Sequence, residues 1–246
     1  MKEPSAFFMI RMLFQPRDLF QLIRRPIFSR FTVDTGYLIH CALKELFAER
    51  APTPFEIMGT GEGVTEVLAY SDFSHIELLD SIRPDAPESL KNAAYNGDFS
   101  SRRMPGQFSR GQLYSYRIRL CPVIRKARGS GERAGSEVDV FLAEAERSGV
   151  KKGLDRSDVY LKWFKTAINK KECLDIQSVR ISELKLDKLL RRNSERQGQS
   201  IVRPNAVFQG IWKVTEPDSF RVLLRNGFGR HKAFGFGMIL LKPLGE

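Results

Sequence analysis

The chain alternates short apolar segments of period two with longer segments of helical period. The first block, AFFMIRMLF at residues 6–14, is apolar throughout except for Arg11, the pattern of a buried strand. Asp34 then precedes TGYLIHCALKELFAER, in which Ile39, Ala42, Leu43, Leu46 and Phe47 recur at helical spacing and form one apolar stripe. TPFEIMG and TEVLAYS read as two short strands around the glycines of GTGEG, and SHIELLDSI reads as a short helix. Residues 81–111, rich in Pro, Gly, Ser and Asn, read as loop or linker.

A second series follows. QLYSYRIRLCPVIR alternates at period two, and RSDVYLKWFKTAI is an amphipathic helix with Val159, Trp163 and Ile168 in its apolar set. LDIQSVRISELKL and SIVRPNAVFQGIWKVT read as a long antiparallel hairpin across the polar connector RRNSERQGQ. EPDSFRVLLRNG has the Pro-initiated, Gly-terminated form of a helix, and AFGFGMILLKP closes as a strand. Strand, helix, strand, strand, helix, strand is the ferredoxin-like order shared with RNA-recognition domains. The first half repeats it less clearly. The expected fold is therefore α+β, with tandem ferredoxin-like (RRM-like) βαββαβ domains at 1–105 and 106–246.

At 246 residues and 42% apolar composition the chain can fill two cores. Its longest apolar runs, such as LFQLI and MILL, fall far short of the roughly 20 residues of a bilayer span, and no basic-then-apolar leader follows Met1. A cytoplasmic protein without membrane association is expected. Cys41, Cys121 and Cys173 are widely spaced among apolar neighbours and read as core thiols rather than a disulfide framework or a metal pair. The formal net charge of +11 changes the picture more. Its excess lies in three places: an N-terminal run including Arg24 and Arg25, a stretch from 102 to 133 including Arg125 and Lys126, and the C-terminal Arg221, Arg225, Arg230 and Lys232. Clustered cations point to nucleic acid or another polyanion as partner.

The histidines are His40, His75 and His231, none with metal-ligand spacing to Cys or carboxylates, so neither metal nor cofactor is expected. Nucleophile-elbow and phosphate-loop patterns are missing. GFGRHKAFGFG, residues 227–237, fails the dinucleotide fingerprint at Lys232 and matches the RNA-stacking signature only at Lys232, Phe234, Gly235 and Phe236; both phenylalanines read as core packing. Tyr37 and His40 stand three apart on the first long helix, with Lys44 at the edge of the same stripe, an arrangement suited to general acid/base chemistry. RNA offers such a cluster a metal-free reaction, because its 2′-OH is an internal nucleophile.

DTGYLIHCALKELF, LYSYRIRLCPVIRKA and VFQGIWKVTEPDSFRVLLRNGFGRHKAFGFGMILLKP together resemble, in order and spacing, the CasE family of CRISPR-associated endoribonucleases, the RNA-processing subunits of the type I-E Cascade complex, or a closely related repeat-processing subunit of another CRISPR type. The resemblance implies tandem ferredoxin-like domains and metal-independent cleavage of CRISPR precursor RNA at the base of a repeat hairpin. The products would be a 2′,3′-cyclic phosphate and a 5′-hydroxyl, with the hairpin retained. It gives His40 the role of general acid or base and Tyr37 that of its proton-sharing partner. Arg191, Arg192 and Arg196, in the connector of the second domain, would grip the RNA duplex, and Gly227, Gly229, Arg230, His231 and Lys232 would lie beside the RNA. Lys44, Arg24, Arg25 or Arg230 would support the phosphate, with Arg125, Lys126 and Arg203 completing the RNA-binding set. Repeat RNA and other subunits of a surveillance complex are the implied partners, the free protein being a monomer. The alternative is a non-catalytic subunit that binds an RNA hairpin within a ribonucleoprotein.

Overall fold

The computed structural model describes residues 6–24, 34–61, 63–125, 136–149, 153–192 and 198–244. The chain forms two compact units. One comprises Met1–Gln107, Lys188–Val202 and Leu224–Met238, the other Phe108–Asp187, Arg203–Leu223 and Ile239–Glu246.

In the first unit β1 (Phe8–Phe14) leads through α1 (Pro16–Ile23) to α2 (Thr35–Phe47), followed by β2 (Phe55–Gly61), β3 (Val64–Ser71), α3 (His75–Asp80), α4 (Glu88–Asn96) and β4 (Phe99–Arg103). The strands form one sheet in the order β2-β3-β1-β4, with β1 antiparallel to both neighbours. Alternate residues of β1, Ile10, Met12 and Phe14, are buried. Arg11 points to the other face, where it bonds Glu66 at 2.6 Å and pairs with Asp98. The expected stripe of α2 is buried as read and shares one core with β1, Val67 and Ala69. Each such Leu, Ile or Phe side chain contributes about 1.5–3 kcal/mol by leaving water.

The 81–111 stretch departs from its reading as a loop. Leu90, Ala93 and Ala94 bury one face of α4, and β4 adds to β1 with Met12 opposite Phe99. A stripe of one leucine and two alanines is too weak a periodic signal to stand out, and FSSRR is a strand because β1 offers it an edge. Helix α1 was also absent from the sequence reading; Pro16 starts it, Gln15 and Asp18 cap it reciprocally, and Leu19 and Leu22 are buried.

The second unit is built on β5 (Leu113–Leu120), α6 (Arg156–Asn169), β8 (Leu174–Arg192) up to Asp187, β9 (Gly198–Val214) from Arg203 and β10 (Ile239–Pro243), with α7 (Pro217–Asn226), up to Leu223, between the last two strands. Its sheet order is β10-β5-β9-β8, the same last-first-third-second arrangement as the first sheet. Two four-stranded antiparallel sheets of this order, each with its helices, make the protein a tandem of ferredoxin-like folds. The strand read through QLYSYRIRLCPVIR ends at Leu120, and its last residues form β6 (Val123–Arg125), which pairs with β7 (Glu137–Asp139) in a ribbon leading into α5 (Val140–Ser148); β7 and α5 have no counterpart in the sequence reading.

Tyr114, Tyr116, Ile118 and Leu120 of β5 are buried in strict alternation. Tyr116 stacks on Trp212 with centroids 3.8 Å apart, and Phe164 stacks on Phe208 at 4.5 Å. The buried stripe of α6 is Tyr160, Phe164 and Ile168; the expected Val159 and Trp163 lie half-buried at its margin. Tyr160 can occupy the core because its hydroxyl donates to Asp139 at 2.7 Å, a partner no helical wheel reveals. The last strand is shorter than AFGFGMILLKP. Residues 232–234 form a 3-10 turn, and the strand begins only at Ile239. No helix among the described residues is long and apolar enough to cross a membrane.

Candidate active site

Helix α2 places the candidate chemistry. The Asp34 side chain accepts the Tyr37 backbone N–H at 3.0 Å, capping the helix and fixing Tyr37 at its third position. Because the stripe from Leu38 to Phe47 faces the core, Tyr37, His40 and Lys44 fall on its margin, each half-buried. The Tyr37 and His40 rings lie 6.1 Å apart and inclined by 31°. Burial holds the His40 imidazole below its ordinary value, and the nearby Lys44 ammonium adds to the shift. The ring is therefore neutral at pH 7, with a lone pair able to accept a proton. Lys44 sits one helical turn beyond His40 and 3.5 Å from the exposed Glu49 carboxylate. So exposed a pair contributes at most about 1 kcal/mol, and an incoming phosphate can replace it.

The glycine-rich segment forms the other wall. Leu224–Met238, which a division at residue 106 assigns to the second domain, packs in the first unit. Gly227 ends α7 in the left-handed region, at φ +65°, and a Cβ there would stand 2.5 Å from the Gly237 carbonyl and 2.7 Å from Pro54. The Phe228 N–H donates to the Gly237 carbonyl at 2.9 Å, closing a loop whose base is held by buried Phe228 and Phe236. His231 sits at φ 62°, an uncommon conformation for a residue with a side chain, and starts the 3-10 turn of Lys232–Phe234. That turn lies on α2. The Phe234 ring stacks on Tyr37 at 5.6 Å and 25°, and the His231 ring meets Phe234 edge-on at 5.8 Å.

The contact depends on Gly36. A Cβ at this position would stand 2.3 Å from the Phe234 carbonyl oxygen, so only glycine lets the turn approach the helix this closely. Sequence reasoning did not single out Gly36, although an unexplained glycine in the first turn of an otherwise well-formed helix was the available signal. It also read both phenylalanines as core. Phe236 is core, whereas Phe234 is half-buried and orders the candidate site.

The structure thus brings Tyr37, His40 and Lys44 into one unit with Gly227, Gly229, Arg230, His231 and Lys232. The Lys232 ammonium donates to the Asn226 carbonyl, and Arg230 is exposed. Arg24, in the same unit, is exposed at the end of α1 with its guanidinium 5.3 Å from the Phe20 ring. Arg125, exposed at the end of β6, and Arg203, half-buried on β9, belong to the second unit. Arg25, Lys126 and Arg196 lie outside the described residues, and Arg191 and Arg192 are described only as backbone at the end of β8. Cys121 and Cys173 are buried, and burial pushes the Cys121 thiol up to about 12, which leaves it a core group rather than a nucleophile. Among the described residues no group of three or more His, Cys, Asp or Glu side chains comes together to hold a metal ion.

Tandem ferredoxin-like folds with a histidine–tyrosine pair beside a glycine-rich loop in the first unit define a two-unit α+β protein. The profile of a family described as CRISPR associated protein matches residues 7–243. The chain belongs to this family of CRISPR-associated proteins, and the resemblance to CasE is borne out. No curated protein matches the chain in sequence. Among solved structures, the CRISPR endoribonuclease Cse3 bound to a 19-nucleotide RNA superposes with a TM-score of 0.63 at 16% identity, covering 97% of this chain and 100% of that one. Cas6e from Escherichia coli K-12 gives 0.54 at 14% identity over 97% and 100% of the two chains. A chain of a CRISPR RNA-guided surveillance complex in a pre-nicking state gives 0.56 at 19% identity over 95% and 98%. At these identities the likeness is one of fold.

Proposed function

We propose that the protein is a metal-independent endoribonuclease that cuts CRISPR precursor RNA at the base of a repeat hairpin and keeps the product hairpin bound. It works in the cytoplasm as a monomer when free and as a subunit of a surveillance complex, with residues 1–105 and 106–246 as its two domains. The observation that carries this reading is the His40 imidazole, half-buried beside Tyr37 and held in its neutral form.

In this mechanism His40 accepts the proton of a 2′-OH, the 2′ oxygen forms a bond to the adjacent phosphorus, and the bond from phosphorus to the 5′ oxygen breaks. The leaving oxygen takes a proton from the imidazolium or from the Tyr37 phenol, leaving a 2′,3′-cyclic phosphate and a 5′-hydroxyl. Lys44 supplies positive charge where the phosphorane gathers negative charge. Arg24, Arg25, Arg230 and Lys232 hold the strand near the site, and Arg125, Lys126, Arg191, Arg192, Arg196 and Arg203 hold the duplex. Support comes from the family, from the RNA in the Cse3 structure and from the surveillance complex among the structural neighbours.

The test is incubation with the cognate repeat RNA in excess EDTA, with end-group analysis of the products. Cleavage to a cyclic phosphate is expected. Cleavage only after magnesium is added would overturn the mechanism, and hairpin binding without any cut would mark a non-catalytic subunit.

A further inference from the structure

The second sheet has a face that the proposed site does not use. Tyr114, Tyr116, Ile118 and Leu120 of β5 turn inward with Trp212, Phe208 and Ala206 opposite them on β9. Strand alternation therefore turns Ser115, Arg117 and Arg119 to the other side, in register with Ile211, Gln209 and Val207. On the neighbouring β10, Leu240 and Lys242 stand opposite Arg117 and Ser115, so they share that face. From the edge strand β8, the Arg180 guanidinium reaches across to the Gln209 side-chain oxygen at 2.9 Å.

These residues enclose a hollow of about 460 Å³ lined by Arg117, Arg180, Lys242, Ser115, Gln209 and Ile211 among others. Its charge is one-sided. Arg180 and Lys242 are exposed, and among the described residues neither has a carboxylate within salt-bridge distance. Arg117 is 3.8 Å from the Glu183 carboxylate. An open antiparallel face ordinarily mixes signs, because uncompensated cations repel one another across a sheet.

We propose that this face binds a single-stranded stretch of RNA through its phosphates. Lys242 on β10 and Arg180 on β8 lie three strand spacings apart, about 14 Å, enough for roughly four stacked nucleotides at ~3.4 Å each. Between them Gln209 and Ser115 offer an amide and a hydroxyl to ribose or base edges, and Ile211 and Leu240 offer apolar surface to base faces. Tyr116 lines the hollow but its buried ring is turned inward onto Trp212, so binding follows the backbone rather than the base sequence. The ligand is the unpaired RNA flanking a hairpin. This goes beyond the cleavage reading and rests on it for RNA as the polyanion and for the hairpin that the strand flanks.

The experiment compares the full chain with the double variant Arg180→Gln, Lys242→Gln on three fluorescent probes: a bare repeat hairpin, the same hairpin with a single-stranded flank, and an unstructured oligouridine. Wild type should bind the flanked hairpin more tightly than the bare one, and the variant should lose that gain while bare-hairpin affinity and the cleavage rate stay as in wild type. With two phosphate contacts removed, the slope of log affinity against log salt for oligouridine should fall by about 1.4. Equal loss on bare and flanked hairpins, or no loss on either, overturns the proposal. So does polyglutamate competing with oligouridine as well as unlabelled RNA does, since the face would then fit an acidic protein. Failure of the hairpin to bind at all would sink the cleavage reading while oligouridine still decides this one.

Discussion

Replacing Gly36 with alanine tests the assembly of the candidate site at one atom. Alanine favours a helix interior over glycine by up to about 1 kcal/mol, so propensity alone predicts a more stable protein. The structure predicts the opposite. The new Cβ would stand 2.3 Å from the Phe234 carbonyl oxygen and 2.6 Å from its carbon, where 3.4 Å is ordinary contact, so the 3-10 turn must withdraw by about 1 Å. The obstacle is backbone, tied by the Phe234 N–H to the His231 carbonyl and by the loop closure at Phe228, so it cannot swing aside as a side chain would. Overpacking of this kind costs about 1–3 kcal/mol, and loosening the Tyr37–Phe234 stack removes another ~0.5–1.5 kcal/mol. Set against the helix gain, the first unit should lose about 1–3 kcal/mol. Displacement of about 1 Å at a catalytic constellation lowers rates by about a hundredfold. Single-turnover cleavage of the cognate hairpin, together with thermal melting, reads both effects, with Thr35→Ala on the exposed side of the same turn as control. A variant that melts at or above the wild-type temperature and cleaves within twofold of it would refute the packing of the glycine-rich loop on α2.

His40→Ala should slow cleavage by roughly two to four decades while hairpin affinity, measured by filter binding, persists. The pH profile of kcat/KM should rise with a midpoint below the ordinary histidine value of about 6.5 and level off by neutrality, because burial and Lys44 favour the neutral ring. Lys44→Gln should move that midpoint upward; a midpoint that stays put would remove Lys44 from the electrostatics of the site. The same shift has a sign in stability: the unfolded chain protonates His40 first as pH falls, so the stability present above about pH 6.5 should be lost as pH falls through the folded value, a loss that His40→Gln should lessen in pH-dependent urea melts. In the second unit, Asp139 accepts from Tyr160, pairs with Arg156 at 2.5 Å and caps α5 through the Phe141 N–H at 2.8 Å. Asp139→Ala should therefore cost about 2–4 kcal/mol in denaturant unfolding, and a loss under 1 kcal/mol would show that the network relaxes around the vacancy.

The amino-acid sequence alone determined most of the strands, the main helices and the histidine worth testing, because each leaves a local signature. Period-two alternation marked β5, helical spacing marked the stripe of α2, and the three-residue step from Tyr37 to His40 put both rings on one helical face. Where the local signal was weak it failed: α4 buries one leucine and two alanines, β4 is a strand by virtue of the β1 edge, and α6 turns Tyr160 and Phe164 inward rather than Val159 and Trp163, with the Tyr160 hydroxyl bonded to Asp139 from another element. What lies beside His40 is set by contacts across nearly two hundred residues. Gly36 is legible as a glycine, but its function exists only once Phe234 arrives above it, and Phe234 is indistinguishable from core Phe236 until the loop closes at Phe228 and Gly237. Tertiary structure also decided the titration of His40, since desolvation depends on what covers the ring, and the cationic lining of the hollow on the second sheet, since Arg117, Arg180 and Lys242 become neighbours only through strand pairing.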